Sequence, residues 1–154
     1  MTRVLVAYFS ATGNTARAAR EVASACDADL FEISPQIPYS SRDLDWTNPK
    51  SRSSVEMKDR DCRPMLAEPM PNLTQYDVLV IGFPIWWGVP PRPIDTFLDS
   101  VTTQCRVIGF ATSGGSGTRE ALQYIRQVHP GIQFESIQLL NGRNPAAWVQ
   151  SLKL

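Results

Sequence analysis

Three short stretches gather residue types that could hold a small molecule. The first is Ser10-Ala11-Thr12-Gly13-Asn14-Thr15, which places three hydroxyls and one amide around a glycine. Gly13 permits a tight turn, and a following helix would aim free N–H groups and its positive dipole end into the loop. That combination suits an anion with several acceptor oxygens, such as a phosphate monoester. No lysine or arginine lies in the loop, so hydrogen bonds and the dipole would supply the binding energy. The pattern is neither the GxxxxGK[ST] nucleotide loop nor the GxGxxG dinucleotide fingerprint. The competing reading is a generously capped helix that binds nothing.

The second stretch is Phe83-Pro84-Ile85-Trp86-Trp87-Gly88-Val89-Pro90-Pro91. Adjacent residues at a strand end point in different directions, so at least one of the two tryptophans should reach the surface. There it would offer a flat face for stacking a planar ring. The alternative is a hydrophobic plug for the end of a sheet. The third stretch is Ala111-Thr112-Ser113-Gly114-Gly115-Ser116-Gly117-Thr118, which uses three of only nine glycines. Small side chains and accessible backbone groups let such a loop approach the edge of a flat polar heterocycle. Equally, it reads as a flexible connection that caps the next helix through Thr118.

The elements that must position these loops are strands alternating with helices. Val4–Phe9 is a continuous apolar run, as expected of a parallel strand buried on both faces. Further candidates are Leu30–Ile33, Val78–Phe83, Arg106–Ala111 and Phe134–Leu140. Helical spacing marks Thr15–Ala25, then Ile94, Phe97, Leu98 and Val101 after a proline-rich start, then Leu122, Ile125 and Val128. Asn144-Pro145 reads as the cap and first turn of a closing helix. Five such units make an open α/β sheet, because they are too few to close a barrel. One domain over residues 1–154 is expected. The segment from Ser34 to Tyr76 departs from the alternation, holding six of the twelve prolines. Asn48-Pro49 could start a short helix there, running to Met57 or Arg60, within a replaced crossover that lies over the sheet.

Composition narrows the function classes. The chain has 154 residues, 15 basic and 15 acidic, and a formal net charge of zero. Neither half departs from that balance, so no basic nucleic-acid face and no acidic tail is expected. Cys26, Cys62 and Cys105 are odd in number and widely spaced, which favours reduced thiols in a cytoplasmic protein. No apolar stretch is long enough to suggest a signal core or a membrane span, so no membrane partner is expected. The only histidine, His129, lies in a Val128-His129-Pro130-Gly131 turn signal. It reads as a surface residue ending a helix, and its solitude excludes multi-histidine metal sites.

If strands one, three and four are neighbours, the three loops meet at one end of the sheet. A phosphate at one end of a ligand and a planar polar ring at the other would fit, and flavin mononucleotide (FMN) is such a molecule. Here the sequence resembles the flavodoxin family. Val4–Thr15 is similar to that family's phosphate-binding motif, Ile81–Gly88 to its aromatic loop, and Thr112–Gly117 to its third flavin loop. The resemblance implies a doubly wound parallel five-stranded sheet in the order 2-1-3-4-5, with FMN as cofactor. It implies that Ser10, Thr12, Asn14 and Thr15, with backbone around Ala11 and Gly13, hold the phosphate. Pro84, Ile85, Trp86, Trp87 and Gly88 would flank the ring, with Trp86 or Trp87 stacked on it. Thr112, Ser113, Gly114, Gly115 and Ser116 would line its pyrimidine edge. Electron transfer between redox partner proteins is the expected activity, with an FMN-dependent NAD(P)H:quinone-type reductase as the alternative. Two features depart from the family. Its carriers are strongly acidic, whereas this chain is neutral, with Arg92 and Arg119 expected near the site. The third loop also lacks an aromatic residue, so either Trp46 covers the second ring face or it anchors the irregular segment.

Overall fold

The computed structural model describes residues 2–102, 104–141 and 144–154. Five strands, β1 (Val4–Tyr8), β2 (Asp29–Glu32), β3 (Val78–Pro84), β4 (Arg106–Thr112) and β5 (Phe134–Leu139), form one parallel sheet in the order β2-β1-β3-β4-β5. The central strands are apolar on both faces because helices cover both. All five residues of β1 and the first six of β3 are buried. Edge strand β2 is largely exposed.

Helices α1 (Asn14–Cys26) and α5 (Pro145–Ser151) pack on one face, where Ala18, Ala19, Val22 and Val149 meet Val4, Val6, Val80 and Ile108. On the other face lie α3 (Arg92–Asp99) and α4 (Arg119–Val128), whose Ile94, Phe97, Leu98 and Ile125 pack on Leu5, Leu79 and Ile81. The start of α3 follows from its prolines: Pro91 is the N-cap, and a proline in the first turn loses no intrahelical bond. Asn144 caps α5 as its sequence suggests, accepting from the Ala146 N–H at 3.0 Å. Among the described residues no helix is long and apolar enough to cross a membrane.

The segment 34–76 replaces a regular crossover helix. Pro35 and Leu66 form an antiparallel bridge, and the short helix α2 (Arg52–Lys58) lies between them in sequence. This helix starts later than Asn48-Pro49 implied. The Asn48 amide oxygen accepts from the Lys50 N–H within a turn, and Ser51 is the cap that accepts from the Ser54 N–H.

Arg92 holds this segment to the body of the protein. Its guanidinium donates to the carbonyls of Glu56 and Asp59 through Nε, at 3.1 and 2.9 Å, and to that of Met57 through Nη2 at 3.0 Å. Its Nη1 reaches Asp95 Oδ2 at 3.2 Å and the Tyr124 hydroxyl at 2.9 Å. Two expectations are corrected here. Arg92 is 2% exposed and caps the end of α2 instead of lining a ligand site. His129 does end α4, but it is 6% exposed, with Nε2 2.8 Å from Asp95 Oδ1 and Nδ1 3.4 Å from Asp99 Oδ1. A completely buried Asp95 needs several partners, and it finds them in Arg92 on its own helix and in Tyr124 and His129 at α4. Burial, aided by the Asp95 charge, pushes the Tyr124 hydroxyl pKa up to about 12.

Candidate functional site

The chain winds from β1 outward to β2 and then returns to β3 on the other side of β1. Such a reversal opens a crevice beyond the carboxyl ends of the strands. A cleft of about 1000 Å³ lies there, walled by the loops that follow β1, β3, β4 and β5.

In the first loop, Gly13 has φ +99°, a left-handed conformation that a side chain would oppose. The Ser10 hydroxyl accepts from the N–H groups of Gly13 and Ala16, both at 3.1 Å, and so curls the chain into the start of α1. The backbone N–H groups of Ala11, Thr12, Asn14 and Thr15 have no partner among the described residues. Four donors thus stand around the positive end of a helix, as an anion requires. Thr15 is buried, and its hydroxyl pairs with that of Thr112 at 2.8 Å, tying this loop to the one after β4.

In the second loop, the Trp86 N–H donates to the Val89 carbonyl at 2.9 Å and the Val89 N–H to the Trp86 carbonyl at 3.1 Å. Between them Trp87 and Gly88 both have positive φ, +51° and +84°, the signature of a two-residue type I′ turn. The positive φ of Gly88 favours glycine there, and the exposed carboxylate of Glu120 lies against its Cα, where a Cβ would have to push it aside. The two tryptophans part company. The Trp86 ring is fixed edge-to-face against Phe9 at 5.7 Å and Tyr39 at 5.4 Å. Tyr39 is itself braced by a hydrogen bond to Glu56 and by the Arg52 guanidinium 3.9 Å from its ring centre. Burial, reinforced by that bond, raises the Tyr39 pKa strongly. Trp87 is half exposed on the turn and makes no such ring contact among the described residues.

The third loop shapes itself through Ser113, whose hydroxyl accepts from the N–H groups of Gly115 and Ser116 at 3.1 and 2.7 Å. Thr118 occupies the N-cap of α4, but its side chain makes no capping bond.

From the first loop Ala11, Thr12, Asn14 and Thr15 line the cleft, and from the second Pro84, Ile85, Trp86 and Trp87. Thr112, Ser113 and Gly114 line it from the third. Ser10, Gly13, Gly88, Gly115 and Ser116 do not line the cleft themselves, and they shape the loops that do. Trp46, 73% exposed, lines the cleft from the irregular segment, so it does not serve as a buried anchor. Arg119 is exposed at the first turn of α4 and does not line the cleft.

Sequence reasoning missed Arg17 and Glu21 on α1, Leu44 and Ser53 in the irregular segment, and Asn141 after β5. For Arg17 and Glu21 a signal existed, because positions 14, 17, 18 and 21 share one helix face. Nothing in the sequence pointed to the others.

The fold has counterparts among known proteins. The sequence profile of the flavodoxin family matches residues 3–152. No curated protein matches the chain. A crystal structure from Bacteroides uniformis, assigned as a flavoprotein, is 46% identical, with a TM-score of 0.93 and 99% of each chain covered. One from Bacteroides eggerthii, assigned likewise, is 41% identical with a TM-score of 0.92, covering 100% of this chain and 99% of the other. A flavoprotein from Lactobacillus acidophilus, solved in complex with FMN, superimposes with a TM-score of 0.80 at 21% identity over 100% of both chains. With the family profile matched along nearly its whole length, the chain belongs to the flavodoxin family.

Proposed function

We propose that the protein binds FMN in this cleft and transfers electrons through it between redox partners. The observation that carries this reading is the set of four N–H groups, on Ala11, Thr12, Asn14 and Thr15, that have no partner among the described residues and gather at the N-terminus of α1. They fit a phosphate that brings its own acceptor oxygens and needs no cationic side chain. The hydroxyl of Thr12 and the amide of Asn14 would add donors to the same group. Trp86, fixed by Phe9 and Tyr39, would give the ring a rigid wall, and Trp87 would be free to settle against it. Thr112, Ser113 and Gly114 would meet the polar edge of the ring. When bound, FMN supplies one- and two-electron redox chemistry, while the protein supplies orientation and electrostatics.

A second reading, an FMN-dependent reductase of a small planar acceptor, is favoured by the two exposed tryptophans that line the cleft, Trp46 and Trp87. The neutral net charge also gives a protein partner little to steer on. The visible spectrum of the purified protein before and after NADPH tests both readings. A flavin spectrum that NADPH alone leaves oxidised supports the carrier, and rapid bleaching by NADPH alone supports the reductase. A protein that carries no flavin and takes up no added FMN would refute both.

A further inference from the structure

The glycine-rich loop after β4 has little of its own to hold it. A Cβ built on Gly114, Gly115 or Gly117 would meet nothing within 4 Å, so no packing fixes those residues. The loop is nevertheless tied at its first two residues. The Thr112 hydroxyl pairs with Thr15, and the Ser113 peptide is gripped from just beyond the end of β5. There, Asn141 Oδ1 accepts from the Ser113 N–H at 2.8 Å while Asn141 Nδ2 donates to the Ser113 carbonyl. One amide side chain thus satisfies both polar groups of one residue, as a neighbouring strand would. Asparagine alone among short side chains offers a donor and an acceptor side by side for this.

The grip determines what remains for a ligand. Both backbone groups of Ser113 are occupied, and its hydroxyl is spent on Gly115 and Ser116. The Gly114 N–H has no partner among the described residues, and Gly114 lines the cleft. We propose that Asn141 is the positioning residue of the ring-binding half of the site, setting the 112–116 loop so that Gly114 offers its N–H to a carbonyl on the ring edge. This rests on the FMN reading above. It makes Asn141 selective for the ring and indifferent to the phosphate, which the β1 loop holds separately.

Affinities of the full-length protein for FMN and for riboflavin, followed by flavin fluorescence, test the proposal. Asn141→Ala should weaken both ligands by about tenfold, leaving their affinity ratio unchanged. Asn141→Asp adds a readout that a merely structural role would not move. Its carboxylate would face the Ser113 carbonyl and repel it. Once protonated, the acid can donate to that carbonyl and still accept from the Ser113 N–H. Riboflavin binding by the Asp variant should therefore recover as pH falls from about 7 to about 4, through the ordinary carboxylate range. The charged groups lining the same cleft, Arg17 and Glu21, are present in both proteins, so the wild type at each pH is the control. Wild-type affinity in Asn141→Ala, a changed FMN-to-riboflavin ratio, or no acid recovery in Asn141→Asp would overturn the assignment of Asn141 alone. A wild-type protein that binds neither ligand would instead overturn the FMN reading, and this inference with it.

Discussion

Two polar regions of the molecule stand in contrast. Around Arg92, four ionisable side chains, those of Arg92, Asp95, Tyr124 and His129, are packed almost out of contact with water, and the more exposed pair of Arg63 and Asp99 lies beside them. Arg92, Asp95 and Tyr124 bond one another, His129 closes on Asp95, and Arg63 meets Asp99 at 2.7 Å. Among the described residues no buried side-chain nitrogen or oxygen lacks a partner. In the loop 10–15, by contrast, no side chain is charged, yet four backbone donors beside an open cleft have no partner among the described residues. The comparison teaches that a binding site is marked by unfinished hydrogen bonding more than by charge. The charged cluster is finished, and it fastens the irregular segment; the uncharged loop, on the proposed reading, is the part a ligand would complete.

The largest effect expected from this contrast lies at the finished cluster. Arg92→Ala takes from the buried Asp95 its guanidinium partner and strips three carbonyls of their donor, so stability should fall by about 3–5 kcal/mol. Urea unfolding measures it, and a loss below about 1 kcal/mol would show that the cluster is not a fastening. Thr12→Ala should do the reverse. It should cost cofactor affinity by ~1.5–3 kcal/mol, the range for a hydrogen bond to a charged group, with stability nearly unchanged. Unaltered FMN affinity would remove the Thr12 hydroxyl from the phosphate site.

The tryptophans repeat the contrast on a smaller scale. Trp86→Ala loses two edge-to-face contacts at ~0.5–1.5 kcal/mol each, besides its buried area, and should lower the unfolding midpoint. Trp87→Ala should leave that midpoint nearly in place and change the reduction potential of bound flavin instead. If both variants behave alike, the distinction between fixed wall and free ring is wrong. The smallest effect concerns pH. Because the Tyr124 pKa is raised in the fold to about 12 from an ordinary 10.0, its contribution is complete below about pH 10. It is lost as pH rises toward 12, where ionisation is favoured more in the unfolded chain. Tyr124→Phe should flatten the fall in stability over that window, and an identical slope would show that Tyr124 does not govern it.

The same contrast explains what could be read from sequence. The loops at 10–15, 84–88 and 112–116 were legible because each lies directly after an apolar strand run, and a parallel sheet delivers strand ends to one edge. The start of α3 and the cap of α5 were legible from local proline and asparagine placement. His129 was misread because its burial depends on Asp95 and Asp99, which lie 34 and 30 positions away and carry no local signal. Arg92 was misplaced for the same reason, its carbonyl partners lying in α2 and just beyond it. The start of α2 shifted from Asn48 to Ser51 because both are good caps and only tertiary packing selects between them. Asn141 was invisible because its role is to imitate a strand for a loop whose course had first to be known. Charge balance, legible from the outset, bears on partners and leaves the cleft untouched.

The central claim is that the unpartnered N–H groups around Gly13 hold the phosphate of FMN. Calorimetric titration of the flavin-free protein with FMN and with riboflavin tests it most directly. The account predicts one FMN bound per chain at micromolar concentration or below, with riboflavin weaker by at least about tenfold, the equivalent of 1.4 kcal/mol. Equal affinity for the two ligands, or no uptake of FMN, would contradict it.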